Sequence, residues 1–279
     1  MAIARRMWRL YEPIHAVTYF SPEARAAFEA AGLRGFWRGY FGGRAAPLGA
    51  VPASAVVSSF YGFAPGFVDR AIPSIWELAT PAQALDARLT GAVAALRRLL
   101  PADVTEAADL LEAAAAELDH GGRPLSAANA VLTSTPPATG SEGSLARLWQ
   151  AATVFREHRG DGHVAALVGA DLSGIESLLF RAGLDIGREI LQPARGWTDE
   201  EWAEAADRLR TRGLLDAEGK ATAAARALHE ELERATDAAA GRPWRTFGSS
   251  WSTRLEEILT PIGAPCLDAM PYPNPIGLR

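Results

Sequence analysis

The chain has 279 residues, 48% of them apolar, with a mean hydropathy of −0.01, a formal net charge of −5 and one cysteine, Cys266. This length buries a sizeable core, as one large domain or two smaller ones, and the negative charge gives no general attraction to phosphate. A lone thiol excludes an intramolecular disulfide and a cysteine-based zinc cluster, and no apolar run approaches the ~20 residues of a membrane helix.

Met1-Ala2-Ile3-Ala4-Arg5-Arg6 lacks an apolar signal core, so a cytoplasmic protein without a membrane partner is expected. The dominant period that follows is helical. Ser21 is placed to cap a helix that starts at Pro22 and runs to Leu33. Thr80 caps an amphipathic helix from Pro81 to Leu100, ended by Pro101, and Val104 to Leu118 is another, stopped at the His120-Gly121-Gly122 turn. Residues 133–144, rich in Pro, Gly, Ser and Thr, read as a linker. Leu145 to Glu157 is a helix, Val164 to Gly169 starts another, and Ser173 to Ala182 is a third. Thr198 with Asp199, Glu200 and Glu201 satisfies the capping-box pattern for a helix to Arg212, ended by Gly213. Leu214 to Thr222 reads as two short strands around Glu218-Gly219, Ala223 to Ala240 as a long helix, and Pro261 to Arg279 as an extended surface segment.

The order repeats. Residues 26–36 return as 165–175 at an offset of 139; Met7-Trp8 returns as Leu148-Trp149 and Gly122-Arg123-Pro124-Leu125 as Gly263-Ala264-Pro265-Cys266, at an offset of 141. The expectation is a mainly α, internally duplicated fold: an N-terminal repeat over 1–132, a linker over 133–144 and a C-terminal repeat over 145–279. The two would form a pseudo-dimer, monomeric as a chain, with a site between or within its halves.

The stretch Trp197-Thr198-Asp199-Glu200-Glu201-Trp202, then Arg208-Leu209-Arg210-Thr211-Arg212-Gly213-Leu214-Leu215-Asp216, a hairpin, and Thr222 before a long helix resembles a winged helix-turn-helix of the MarR type, with a small β-wing. The whole chain resembles an actinobacterial family labelled SalK-like or helix-turn-helix. That likeness rests on Glu12-Pro13-Ile14-His15-Ala16-Val17-Thr18-Tyr19-Phe20, on residues 35–41 (Gly-Phe-Trp-Arg-Gly-Tyr-Phe) and on Arg156-Glu157-His158-Arg159-Gly160-Asp161-Gly162-His163. The alanine and arginine richness, with Lys220 the only lysine, fits a GC-rich genome of that kind. MarR-type proteins are homodimers of subunits about half this size, which suits a fused duplicate. The resemblance implies a recognition helix at Thr198 to Arg212 whose Arg208, Arg210 and Arg212 face DNA phosphate. Five acids on that helix (Asp199, Glu200, Glu201, Glu204, Asp207) oppose a polyanion, and its arginines cluster at the C-terminal end, whereas such helices read bases from the N-terminal part. The corresponding part of the first repeat, Val56 to Trp76, is apolar and broken by prolines. DNA is therefore a disfavoured partner.

Two polar segments stand out. Arg156 to His163 reads as a corner between two helices in which Gly160 and Gly162 permit positive φ and aim His158, Asp161 and His163 at one point. That set is suited to acid–base work or a two-histidine metal site, although its spacing matches no standard ligand motif; equally, it suits a structural corner. Residues 34–44 interleave rings, arginines and glycines, as a pocket for an aromatic or anionic small molecule does. The expected ligand-binding residues are His15, Tyr19, Trp37, Arg38, Tyr40, Arg156 and Arg159. His120 and His229 read as ordinary turn and helix-surface residues. The expected partner is a small molecule bound by a MarR-like protein, possessing ligand response with weakened or lost DNA binding; the alternative is an enzyme using His158, Asp161 and His163 in the same pocket. The sequence identifies no cofactor, resident metal or reaction.

Overall fold

Hydroxyl caps and prolines start the helices of this chain. In the computed structural model, which describes residues 2–100, 103–134 and 141–278, α1 (Ile3–Phe20) stops at Ser21. The Ser21 hydroxyl accepts from the Ala24 N–H and caps α2 (Pro22–Ala30). Then come α3 (Phe36–Ala45) and three short helices, α4 (Ala53–Phe60), α5 (Pro65–Val68) and α6 (Ile75–Leu78). A capping box of Thr80 and Gln83 opens α7 (Pro81–Leu99), and α8 (Thr105–Ala115) and α9 (Pro124–Ala130) follow. The second half holds α10 (Ser141–Gly169), α11 (Gly174–Leu184), α12 (Arg188–Leu191), α13 (Asp199–Thr211), α14 (Ala223–Ala239) and α15 (Arg242–Asp268). The capping box at Thr198 and Glu201 forms as its spacing predicts, and Thr222 caps α14.

The fold is mainly α, but four expectations need correction. The β-wing is reduced to one antiparallel bridge, Leu215–Ala221, and the described residues contain no strand. Asp216 explains this: its backbone pairs with Lys220 O and Gly219 N–H, and its side chain takes the Lys220 N–H, so the segment closes as a turn before a ladder extends. The corner at Arg156 to His163 is absent, because α10 runs through it without a break. Gly160 and Gly162 are helical; at Gly162 a Cβ would meet Arg123 Nη1 at 2.6 Å, so this glycine serves close packing. The proposed linker is shorter than 133–144, since Thr133 and Ser134 close a 3₁₀ turn and α10 begins at Ser141; residues 135–140 lie outside the described residues, as does Pro101. The tail leaves its helix after Asp268, not at Pro261. Leu259, Ile262 and Cys266 are buried in the core that α15 shares with α1, and the backbone of Gly263 packs on Leu10 O.

The apolar residues gather into three main groups. A central core joins α1, α7 and α8 of the first half to α10 and α15 of the second, around Met7, Tyr11, Leu111, Trp149 and Leu255. A first lobe packs α2–α7 around Phe41, Ile72 and Ile75. A second lobe packs α11–α14 and the end of α10 around Phe180, Trp202 and Leu209. The halves do not share one helix plan: Ser21 divides α1 from α2, whereas α10 is continuous, and α4–α6 are three short pieces where the second half has α13. The lobes touch at Gly62 O, which accepts from Trp197 Nε1 at 2.9 Å, and at Arg195 O, which accepts from the Ala64 N–H at 3.0 Å. No single helix among the described residues is long and apolar enough to cross a membrane.

Candidate ligand cleft and its arginine network

A continuous α10 sends its dense polar segment in three directions, since side chains three, four and seven apart share a helix face. Arg156, Arg159, Gly160 and His163 face a cleft; Glu157 faces the first lobe; His158 and Asp161 face the α8–α9 connection. His158 Nε2 meets Asp119 O at 3.1 Å, Asp161 accepts from the Ser126 N–H at 2.9 Å, and His163 Nδ1 meets Thr236 Oγ1 at 3.0 Å. The structure therefore does not bring His158, Asp161 and His163 to one point. Burial, with Arg123 adding to it, lowers His158 to about 4; burial lowers His163 to about 4 and raises Asp161 to about 6. No group of three His, Cys, Asp or Glu side chains among the described residues is arranged to hold a metal ion.

The cleft has two lobes. The polar one, about 320 Å³, lies between α1, α10, α11, α14 and the tail. Five arginines (Arg5, Arg9, Arg156, Arg159, Arg181) line it with only three carboxyl groups, Glu12, Asp185 and Glu233. Arg5 and Arg159 share Asp237 and Glu233, Arg181 pairs with Asp185 on its own helix, and Arg9 bonds to no described residue. Glu12 is raised by burial, while Arg156 at 3.5 Å and Trp8 Nε1 at 3.0 Å pull the other way. The apolar lobe, about 230 Å³, is walled by Phe60, Leu167, Leu178, Phe180 and Leu191 and carries Arg195. His163, Arg181, His229 and Glu233 line both lobes. Thr236 spends its hydroxyl proton on Leu232 O at 2.7 Å, so it accepts from His163 Nδ1–H. Neutral His163 then offers an unprotonated Nε2.

Behind the cleft a second polar set runs inward. Arg44 on α3 reaches Glu157 with two hydrogen bonds of 3.2 Å each, and Arg156 reaches it at 2.8 Å. Burial alone would raise Glu157, but Arg156 and Arg44 hold it well below the usual carboxylate range. His15 Nδ1 meets Thr153 Oγ1 at 2.9 Å and its Nε2 meets Tyr19 Oη at 2.8 Å. Thr153 donates to Trp149 O, so His15 carries its proton on Nδ1 and accepts from Tyr19. Burial keeps His15 neutral. Arg195 lies 4.7 Å over the Phe63 ring with no carboxylate partner among the described residues, and burial lowers it.

The expected ligand residues thus divide. Arg156 and Arg159 line the cleft; His15, Tyr19 and Tyr40 line a narrow inner cavity; Trp37 packs among Phe36, Tyr40, Phe41, Phe63 and Phe67; Arg38 is exposed and lines neither lobe of the cleft. His229, read from sequence as an ordinary surface residue, lines both lobes. Arg44 falls in the 34–44 segment read as pocket-forming, whereas Arg181, Arg195 and Glu233 were not singled out, because nothing in their local pattern marks them; chain crossings bring them in. On α13 the acids Asp199, Glu200, Glu201, Glu204 and Asp207 are exposed. Arg208 pairs with Glu176, Arg210 with Asp207, and Arg212 donates to Ala170 O and Asp171 O.

The model of the helix-turn-helix family matches residues 4–273. No curated protein and no solved structure matches the chain. With nearly its whole length covered by the family model, the chain belongs to the helix-turn-helix family.

Proposed function

We propose that this helix-turn-helix protein binds a small amphipathic anion in the two-lobed cleft, with its contact to DNA weakened. Family membership suggests a regulator of the DNA-binding type. The observation that carries the ligand reading is the excess of guanidinium groups over carboxylates in a concave site with an apolar annex. Four of the five arginines are paired within the protein, so the attraction for an anion rests on exposed Arg9 and on the N–H groups that Arg156 and Arg181 leave unused, which an anionic ligand can take. The polar lobe alone is within the ~300–1,000 Å³ usual for small-molecule sites. A carboxylate or phosphate would sit among Arg9, Arg156 and Arg181, an aromatic or branched body against Leu178 and Phe180, and a donor group on His163 Nε2.

The cores support a MarR-like pseudo-dimer: two lobes flank a central core to which both halves contribute α1, α8, α10 and α15, as a fused pair of subunits would. Gly35 and Gly174 each precede or open a helix at the same offset, and Thr80 and Thr222 each cap a long one. On that reading the cleft lies at the seam of the halves. The enzyme alternative needs His158, Asp161 and His163 at one point, and α10 sends them to three neighbours. The test is native mass spectrometry of freshly purified protein. A monomer that releases a co-purified organic anion on denaturation supports the reading; a co-purified cation or metal at the cleft contradicts it.

A further inference from the structure

A separate, narrow cavity lies beside α3, with the Arg44–Glu157 pair in its wall. Its volume is about 10 Å³, and it is lined by His15, Thr18, Tyr19, Tyr40, Arg44 and Arg88, among others. That is room for one water-sized particle. Two buried side-chain atoms among the described residues have no hydrogen-bond partner in the protein, Thr18 Oγ1 and Arg88 Nε, and both residues line this one cavity. Thr18 and Arg88 are each 5% exposed. Tyr40 Oη accepts from Arg44 Nη1, and its own proton finds no acceptor among the described residues. Three donors, an N–H and two O–H groups, therefore belong to residues that wall the same space.

Arg88 also has no ion-pair partner among the described residues. Its other N–H groups go to neutral acceptors, Gly43 O at 3.1 Å and Asn129 Oδ1 at 3.1 Å, and its guanidinium lies over the Trp149 ring. The neighbouring carboxylate, Glu157, is already shared by Arg44 and Arg156. His15 is neutral and Tyr19 donates to it, so neither supplies negative charge. A water molecule satisfies the donors but leaves the charge uncompensated; a monatomic anion does both. A second small cavity, about 20 Å³, shares Thr18, Tyr19, Phe28, Gly39 and Tyr40 with the first and continues toward exposed Arg25 and Phe36, which supplies a route.

We propose that this cavity is a binding site for a single halide-sized monovalent anion, chloride being the physiological ion of that size. It is independent of the cleft and its ligand. Crystals grown in bromide and measured at the bromine absorption edge should show an anomalous peak beside Arg88 and Thr18. At fixed ionic strength, replacing gluconate by chloride should raise Tm in a saturable manner, since a ligand that binds only the folded state stabilises it. Thr18→Val, which keeps the shape and removes the hydroxyl, should lose most of that rise while still folding; Arg88→Met should abolish it. A cavity without anomalous signal, holding a water instead, overturns the proposal. So does a chloride-dependent rise that Thr18→Val leaves intact, because the ion then binds elsewhere.

Discussion

Arg44 and Glu157, 113 residues apart, meet in the interior through two parallel hydrogen bonds and tie α3 of the first lobe to α10. The side chains are 10% and 2% exposed, so solvent screens the pair little. Arg156 bonds to the same carboxylate from the cleft side. Glu157 is therefore the anion that keeps two buried cations in place.

Replacing it by Glu157→Gln should cost about 3–5 kcal/mol, the loss typical of leaving a buried charge unpaired. Denaturant unfolding of the variant beside the wild type checks this. A loss under about 1 kcal/mol would mean the pair behaves as a surface bridge.

Stability should fall on acidification between pH 6.5 and 4. His158 and His163 are held to about 4, and burial also lowers His15 and His120. Across that window the unfolded chain binds protons that the folded chain refuses, so stability rises with pH. Asp161, raised to about 6, and Glu12, also raised by burial, oppose this, because the folded state protonates them first. Four lowered imidazoles against two raised carboxyls leave a net loss toward acid, and Glu157 adds to it below its ordinary range. His158→Gln should flatten the slope by on the order of 3 kcal/mol across the window, measured by urea unfolding at several pH values.

Cys266 should be inert in the native protein. It is fully buried on α15, and burial raises its thiol to about 12. Native protein at pH 8 should react with a thiol-specific disulfide reagent only at the rate of unfolding, and at once in denaturant. Rapid native labelling would show that α15 detaches readily from α1.

The arginines at the end of α13 should matter more for stability than for DNA. Arg212 already donates to Ala170 O and Asp171 O, just past the C-terminal end of α10, where a cation is favoured. Arg212→Ala should lower Tm by about 2–4 °C, the shift that ~1 kcal/mol produces in a domain of 150–250 residues. Fluorescence anisotropy with duplex DNA at low salt should change little between wild type and variant. A clear loss of salt-dependent affinity in Arg210→Ala or Arg212→Ala would instead assign these residues to phosphate contact.

Local chemistry was legible wherever it closes within a few residues. The caps at Ser21, Thr80, Thr198 and Thr222 all form, because the hydroxyl and the N–H it accepts from are three residues apart. Glycine was misread at Gly160 and Gly162: the sequence shows permission for positive φ, and only the structure shows Arg123 pressed against the helix there. Misplacing that break also misplaced the chemistry, since a corner would gather His158 and His163 and a helix separates them. The prolines at Pro261 and Pro265 misled in the opposite sense, because packing against α1 keeps α15 helical through them. Arg156 and Arg159 were recognisable from charge density, whereas Arg181 and Arg195 reach the cleft by crossings no local pattern encodes.

Calorimetric titration of 1-naphthoate and of its neutral amide tests the anion-binding cleft most directly. The account predicts that the carboxylate binds at one site, the amide at least tenfold more weakly, and that Arg181→Gln lowers affinity for the carboxylate but hardly for the amide. Equal binding of acid and amide, or binding unaffected by Arg181→Gln, would contradict an anionic ligand held by the arginines of the cleft.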